Sequence, residues 1–282
     1  MATVVPGEWI AGSAELLARH IWYNQLMLWI FFVYGVIFGS FANAIVWRIH
    51  EGKSIAHGRS MCPDCCHLLS VWDLVPVASW LWLRGRCRYC HKPISWQYPV
   101  VELVTGLIFA WLWLGINPVG VGGWAHLLLW LYFAVVLVIL SVYDLRWMLL
   151  PDVVMAPAIA VAAVVAVGSG FTGGGWGMLA SGLVGGGAFY ALAAVSDGKW
   201  MGGGDIKLAA LMGLVLGPAK LAVAMFLAFN VAAVVGLILL GLGRKKRRGH
   251  IPFGPFLAGG VLAAQIWGPA IIHWYLHLAG VV

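Results

Sequence analysis

Four cysteines within one short segment form the most specific chemical pattern in the chain. Cys62 and Cys65 make one C-x2-C pair, Cys87 and Cys90 make a second, and 21 residues separate the two pairs. Each pair is typical of a tight knuckle that directs two thiolates to one point, and two knuckles complete a tetrahedral ligand set for Zn²⁺. A closed shell of four thiolates predicts a structural zinc ion, because a catalytic zinc keeps one position open.

Other interpretations of this segment stay open at the level of sequence. The four thiols could form two disulfides, although disulfides are rare in a reducing compartment, or they could serve a redox role or bind no metal. Cys66 is then a spare thiol. His67 and His91 each follow a knuckle and are alternative ligands.

Two aspartates at the edges of apolar stretches are the candidate catalytic residues. Asp144 ends one stretch, at a helix C-terminus, where the helix dipole disfavours a negative charge. Asp205 follows Gly202, Gly203 and Gly204 and opens another stretch, at a helix N-terminus, where the dipole favours it. The glycines allow another backbone to come close. Two carboxyl groups held in opposite environments suit acid–base catalysis on a bound water.

Each of these aspartates also has a simpler interpretation. Asp144 could form an interfacial ion pair with Arg146, and Asp205 could be a helix cap after a flexible loop. Lys207 would stabilise the negative charge of Asp205. Asp152 opens a further apolar stretch and is predicted to be an N-cap, with a substrate-binding or site-supporting role as the alternative.

A few other polar or glycine positions are candidates for supporting the site. Glu102 lies just inside an apolar stretch, where an ionisable side chain is costly and suggests function. Asn43 follows two glycines at helical spacing and needs hydrogen-bond partners if it is buried. Gly254 and Pro255 open the last stretch, and the glycine permits close backbone approach. Asp197 precedes Gly198 and is typical of a turn.

Composition places all these residues in a membrane protein. Hydrophobic residues make up 62% of the chain, charged residues only 10%, and mean hydropathy is +0.93, whereas a soluble protein carries about 25% charged residues. The net charge of +7 does not indicate nucleic-acid binding, because the charges lie in short segments between apolar runs. Eight spans are predicted, the sixth short enough to be re-entrant: 23–47, 99–116, 124–143, 153–168, 177–196, 206–217, 220–242 and 255–278.

The distribution of basic residues predicts the orientation of these spans. Segments 48–98, 144–152, 197–207 and 243–254 fall on one side and hold 15 of the 17 Lys and Arg residues. The positive-inside rule makes that side cytoplasmic and both termini external. The predicted organisation is an external tail (1–22), a first transmembrane helix (23–47), a cytoplasmic zinc-binding domain (48–98) and a membrane catalytic core (99–282). The fold class is an all-α polytopic membrane protein.

Several motifs together resemble one family. Gly202-Gly-Gly-Asp205 fits the G-x-G-D motif of intramembrane aspartyl proteases, and Ile-Lys207-Leu resembles the prepilin peptidase branch, the type IV leader peptidase family. Further stretches look like bacterial members of that family: Gly39-Ser-Phe-Ala-Asn43, Trp72-Asp-Leu-Val-Pro76, Arg84-Gly-Arg-Cys-Arg-Tyr-Cys90, Tyr98-Pro-Val-Val-Glu102, Asp144-Leu-Arg-Trp-Met-Leu-Leu-Pro-Asp152 and Gly254-Pro255.

The resemblance implies a function, cofactors and partners. A protein of this kind removes the basic leader of type IV prepilins or type II secretion pseudopilins after a Gly, on the cytoplasmic side of the bacterial inner membrane. It also implies N-methylation of the new N-terminus with S-adenosylmethionine, although no glycine-rich methyltransferase motif is present. Two functions of other classes remain as alternatives: a transporter whose intramembrane acids carry ions, and a scaffold whose cysteine segment binds a partner.

Overall fold

The regular secondary structure in the part of the chain that the structure describes is helical. This computed structural model describes residues 6–170, 174–199, 201–242 and 252–281, with side chains from Ile21 onward; the basic run 244–248 lies outside these ranges. Two isolated antiparallel bridges, Met61 with Leu68 and Arg86 with Pro93, accompany the helices. The helices are α1 (Pro6–His50), a 3₁₀ helix (Val71–Leu74), α2 (Ala78–Trp82), α3 (Gln97–Ile116), α4 (Gly120–Trp147), α5 (Asp152–Gly170), α6 (Gly175–Val195), α7 (Gly203–Gly241) and α8 (Gly254–Leu278).

Seven of the described helices are long and apolar enough to cross a membrane: α1 from Ile21 onward and α3 to α8. Their bounds follow the predicted spans closely, because runs of Leu, Val, Ala and Phe without charges both favour helix and fit the hydrocarbon core. One boundary differs. Helix α1 begins at Pro6, inside the segment that the sequence assigns to an external tail, and its 45 residues extend about 68 Å.

The described chain divides into two compact units. The first contains residues 1–41 and 59–131, and the second contains 42–58 and 132–282. In the first unit, α1 packs closely against α3 because glycines remove side chains from the contact. A Cβ on Gly35 would lie 2.6 Å from the Thr105 carbonyl oxygen, and one on Gly39 would lie 2.7 Å from Glu102 Cα. The glycines before Asn43 therefore serve helix packing.

In the second unit, α7 consists of two arms joined by a sharp reversal. Gly217 has φ +72° and ψ −179°, and Pro218 follows it. The first arm, 203–216, runs antiparallel to α6, since Gly182 lies against Leu214 and Gly185 lies against Ala209. The second arm, 218–241, runs parallel to α6: Gly177 is near Pro218 and Phe189 is near Phe229.

The reversal explains why the sequence predicts eight spans although seven of the described helices are long enough to cross a membrane. The predicted spans 206–217 and 220–242 are the two arms of α7, and Gly217 at their junction adopts a left-handed φ that glycine tolerates without strain. The first arm has 14 residues and is about 21 Å long, which is shorter than a hydrocarbon core of about 30 Å. The second arm then packs antiparallel to α8, where Gly260 lies against Ala224 and Ala228.

The contact between α6 and the first arm predicts a strong asymmetry between two glycines. A Cβ on Gly213 would collide with the backbone of Ser181, whereas nothing lies within 4 Å of a Cβ on Gly187. We expect Gly213→Ala to destabilise the protein by about 1–3 kcal/mol, because backbone cannot move aside as a side chain can. Thermal unfolding in detergent should show a clearly lower midpoint for Gly213→Ala and an unchanged or higher one for Gly187→Ala. Equal midpoints would contradict this packing.

Candidate functional site

Asp144 is buried in the last turn of α4 and is bound by the start of α8. Asp144 is only 5% exposed, and its Oδ2 accepts a hydrogen bond of 2.8 Å from the backbone N–H of Gly254. A Cβ on Gly254 would lie 2.8 Å from that same oxygen. Glycine is therefore required at position 254 for the carboxylate to reach the backbone.

This contact adds a partner that the sequence did not reveal. The C-terminal end of α4 disfavours a negative charge, but the N-terminal end of α8 offers an unsatisfied N–H and the favourable end of a second dipole. Gly254 and Pro255, the latter in the first turn of α8, were recognisable as a helix start. Their pairing with Asp144 joins positions 110 residues apart.

Asp205 occupies the first turn of α7, as predicted. Its Oδ2 accepts a hydrogen bond of 3.4 Å from the backbone N–H of Gly202, which precedes the helix. The side chain is partly exposed. The Asp205 and Asp144 carboxyl groups lie close enough for their charges to interact. The structure thus brings together two carboxyl groups 61 residues apart in sequence.

The three glycines before Asp205 differ in their surroundings. A Cβ on Gly204 would lie 2.8 Å from Leu150 Cβ, so the close approach expected from the sequence occurs here. Gly203 has nothing within 4 Å, and Gly202 has only the Asp205 carboxylate near that limit. One glycine of the three is thus required by packing against the α4–α5 connection.

Asp152 and Lys207 form an ion pair at the edge of this site. Lys207 Nζ lies 2.6 Å from Asp152 Oδ1, and both side chains are largely exposed. The sequence predicts that Asp152 is an N-cap and that Lys207 stabilises Asp205. In the structure, Asp152 and Lys207 bind each other. Such an exposed pair contributes about 0–1 kcal/mol to stability. Asp197 has φ +49° in the turn after α6, which confirms the turn predicted there.

Two further polar candidates are buried, one in each unit. Asn43 is 2% exposed in α1 and belongs to the second unit. Glu102 belongs to the first unit, where its Oε2 accepts a hydrogen bond of 2.7 Å from the backbone N–H of Val77. The Ser40 hydroxyl also hydrogen-bonds this carboxylate. Glu102 therefore links three parts of the first unit.

The four predicted cysteine ligands form one cluster in the first unit. The Sγ atoms of Cys62, Cys65, Cys87 and Cys90 all lie within 4.8 Å of one another, and Cys62 and Cys90 are 3.9 Å apart. Tetrahedral coordination at about 2.3 Å from a zinc ion places sulfurs about 3.8 Å apart. The donor set and its spacing therefore fit a metal ion.

The two knuckles share one backbone pattern. Cys62 N–H donates to the His67 carbonyl and Cys66 N–H to the Cys62 carbonyl; Cys87 N–H donates to Lys92 and His91 N–H to Cys87 in the same way. Cys66 and His91 occupy equivalent positions, and both have positive φ, +56° and +58°. Cys66 is thus a turn residue outside the four-sulfur cluster, as the sequence predicts.

Hydrogen bonds stabilise the charged forms of two side chains at the second knuckle and beside it. Burial opposes ionisation of Cys87, but backbone N–H groups of Cys90 and Tyr89 lower the pKa of its thiol to about 7. Burial also opposes ionisation of Asp73, yet hydrogen bonds from Ser70 and Arg88 outweigh it and lower the pKa of that carboxyl below its usual range. Asp73 thereby stays charged at neutral pH and holds Arg88, beside the second knuckle, at 2.7 Å.

Comparison with known proteins agrees with both parts of the structure. Residues 33–116 match the model of the bacterial peptidase A24 N-terminal domain, and residues 131–237 match that of the type IV leader peptidase family. The chain is 34% identical to the prepilin leader peptidase/N-methyltransferase of Bacillus subtilis over 256 residues, covering 90% of this chain and 99% of that protein. The chain belongs to the type IV leader peptidase family.

Other relatives extend this finding. The protein of the same name from Aeromonas hydrophila is 34% identical over 276 residues, covering 87% of this chain and 92% of that protein. The one from Pseudomonas aeruginosa is 29% identical over 276 residues, with the same coverage. No solved structure matches the chain. Membership of this family argues against the two alternative functions, a transporter and a scaffold.

The cysteine cluster predicts which thiols retain a metal ion. We expect Cys87→Ser to lose bound metal and to loosen the 59–96 segment, because metal binding contributes directly to the folding of such a segment. Cys66→Ser is the matched control and should keep one ion per chain, since Cys66 lies outside the cluster. Elemental analysis of protein purified without chelator measures both. Loss of metal from Cys66→Ser, or retention by Cys87→Ser, would contradict the assignment.

Proposed function

We propose that this chain is an aspartic endopeptidase of the bacterial inner membrane that removes the leader peptide of type IV prepilins or type II secretion pseudopilins. We propose further that it N-methylates the new N-terminus. The observation that supports the peptidase activity is that the Asp144 and Asp205 carboxyl groups, at the ends of two candidate membrane helices, lie close enough for their charges to interact. The names of its relatives support both the substrate and the methylation.

In the proposed mechanism the two carboxyl groups act on one water molecule. The ionised carboxylate removes a proton from the water, whose oxygen attacks the scissile carbonyl carbon. The protonated carboxyl group hydrogen-bonds the carbonyl oxygen and stabilises the charge that develops there. The C–N bond then breaks as a proton passes to the leaving amine, and no acyl-enzyme forms. The backbone N–H of Gly254 fixes the Asp144 carboxylate in position throughout.

An apolar groove beside the site suits a hydrophobic helix in the substrate. A cavity of about 530 Å³ lies between α6 and the second arm of α7, lined by small and apolar residues that include Gly185 and Ala188. Phe229 of this groove lies 5.1 Å from Phe253, centroid to centroid, and Phe253 directly precedes Gly254. A helix in the groove would therefore present one end to Asp144, where the scissile segment unwinds.

The basic leader requires an acidic partner on the cytoplasmic side. Asp197 is the best candidate, because its side chain is 85% exposed and its contact with Lys199 is long, at 3.9 Å. Asp152 is already paired with Lys207, and Glu102 is buried. The orientation in this proposal places the active site and the 48–98 domain on the cytoplasmic side of the membrane and both termini on the other side.

The proposed cofactors are Zn²⁺ and S-adenosylmethionine. The four-cysteine donor set supports zinc as the ion that Cys62, Cys65, Cys87 and Cys90 would hold, with a structural role. S-adenosylmethionine would supply the methyl group that the new amino terminus accepts, after loss of a proton from that amine. Its inclusion rests on the names of the relatives.

The peptidase proposal is tested with purified protein and a synthetic prepilin-like peptide. We expect Asp144→Asn and Asp205→Asn each to lower the cleavage rate by at least about 10³-fold, because neither amide can exchange the proton that the reaction requires. Asp152→Asn should retain activity within about tenfold, since its partner Lys207 is an exposed surface contact. Mass spectrometry identifies cleavage after Gly and, with S-adenosylmethionine added, a mass gain of about one CH2 unit. If Asp144→Asn and Asp205→Asn both cleave the peptide at the normal rate, the aspartic mechanism is wrong.

The role of Gly254 generates a second test with a matched control in the same helix. Gly254→Ala places a methyl group against Asp144 Oδ2, whereas nothing lies within 4 Å of a Cβ on Gly259. We expect Gly254→Ala to lower kcat by about 10²-fold, because a displacement of about 1 Å at a catalytic group has effects of that size. Gly259→Ala should cleave at the normal rate. Equal rates for the two variants would remove Gly254 from the proposed site.

A further inference from the structure

The 71–82 segment, which lies between the two cysteine pairs, is tied directly into the membrane helices. Val77 N–H donates to Glu102 Oε2 at 2.7 Å. Glu102 lies five residues after the start of α3, about 8 Å along a helix that is long and apolar enough to span a membrane. The hydrogen bond therefore ties Val77 to the N-terminal part of a helix that is long and apolar enough to span a membrane.

The backbone at this contact is held in an uncommon conformation. Val77 has φ +60°, which is unusual for a β-branched residue and persists only where surrounding contacts impose it. Glu102 supplies such a contact, and Ser40 of α1 fixes the Glu102 carboxylate in turn. At its other end the segment is held by Asp73, whose side chain is 3% exposed and binds Arg88 of the second knuckle. The segment is thus clamped between the membrane helices and the metal cluster.

Several apolar side chains of this segment are left exposed by the rest of the first unit. Trp82 is 87% exposed and Trp72 is 76% exposed, with Val71 and Leu81 also largely exposed. Trp80 turns inward instead, donating its Nε1–H to the Ile94 carbonyl and packing on Trp96. In α2, Trp80 therefore packs on the domain, whereas Leu81 and Trp82 are exposed.

We propose that the 71–82 segment is a membrane-inserted element whose outer face, formed by Val71, Trp72, Leu81 and Trp82, lies among the lipids at the boundary of headgroups and acyl chains. The occupant of this face is the bilayer itself. This inference goes beyond the peptidase activity and does not rest on it.

Three features favour lipid over water or a protein partner. The Glu102 contact holds Val77 beside the N-terminal part of α3, a candidate membrane span. Trp and Tyr concentrate at membrane interfaces because their rings have an apolar body and a polar edge, and Trp96, also exposed, stands directly before α3. Arg84 and Arg86 follow Trp82 and are exposed, which suits contact with anionic headgroups.

Photo-crosslinking to lipid tests the proposal in the full-length protein. The photoreactive residue p-benzoylphenylalanine is introduced singly at position 72 or 82, and the protein is placed in nanodiscs of phosphatidylethanolamine and phosphatidylglycerol. Position 107 is the positive control, since Leu107 is exposed on α3. Position 68 is the matched negative control, because Leu68 is an exposed apolar residue on the first knuckle.

We expect lipid adducts at positions 72 and 82 to be within about threefold of those at position 107 and about tenfold above those at position 68, as insertion into the interface requires. Mass spectrometry of the digested protein measures the adducted fraction. Labelling at 72 and 82 no greater than at 68 would overturn the proposal. Crosslinks to protein in place of lipid would overturn it in favour of a partner surface.

The Glu102 contact supplies a second, independent arm. Glu102→Ala removes the acceptor for Val77 N–H and should lower lipid labelling at position 82 by about fivefold while leaving position 107 unchanged, as loss of a buried acceptor frees the segment. Glu102→Gln keeps an acceptor oxygen and should restore the labelling. Metal content and the unfolding midpoint identify any variant that fails to fold. Unchanged labelling in folded Glu102→Ala would overturn the role of this hydrogen bond in setting the depth of the segment.

Discussion

The hydrogen bond between Gly254 N–H and Asp144 is the contact on which the arrangement of the second unit depends. A buried carboxyl group at a helix C-terminus requires a donor, and the N-terminus of α8 supplies it. That terminus reaches Asp144 because the chain reverses at Gly217. If α7 were one straight helix of 39 residues, its ends would be about 58 Å apart. The reversal instead returns the chain to the end where Asp205 lies, so that α8 begins beside the site.

Much of this arrangement could be predicted from the sequence. Charge-free apolar runs predicted the spans, and the gap between the short sixth span, 206–217, and the next span, 220–242, agrees with the break that the structure places at Gly217. The four-cysteine cluster was also predictable, because two C-x2-C knuckles fold locally and have one simple way to meet. The position of Asp205 in the first turn of α7 followed from the glycines before it. Local pattern determines each of these features.

Contacts between distant segments could not be predicted in the same way. Lys207 stands two residues from Asp205 yet binds Asp152, 55 residues away, because the direction of a side chain on a helix is set by packing. Glu102 was predicted to support the site because an ionisable side chain is costly in a membrane, but its partners Val77 and Ser40 in the first unit could not be read from the sequence. Helix α1 also begins earlier than hydropathy indicated, since a polar sequence can continue a helix beyond the bilayer.

In the proposed mechanism, Asp144 and Asp205 act as one unit on one water molecule. A cycle of Asp144→Glu, Asp205→Glu and the double variant tests it, because each change keeps a carboxyl group and leaves a measurable rate. Residues that share a reacting group couple by about 0.5–3 kcal/mol, so we expect kcat/KM of the double variant to differ from the product of the single effects by about tenfold. Single effects that simply multiply would show that the two carboxyl groups act independently and would contradict the account.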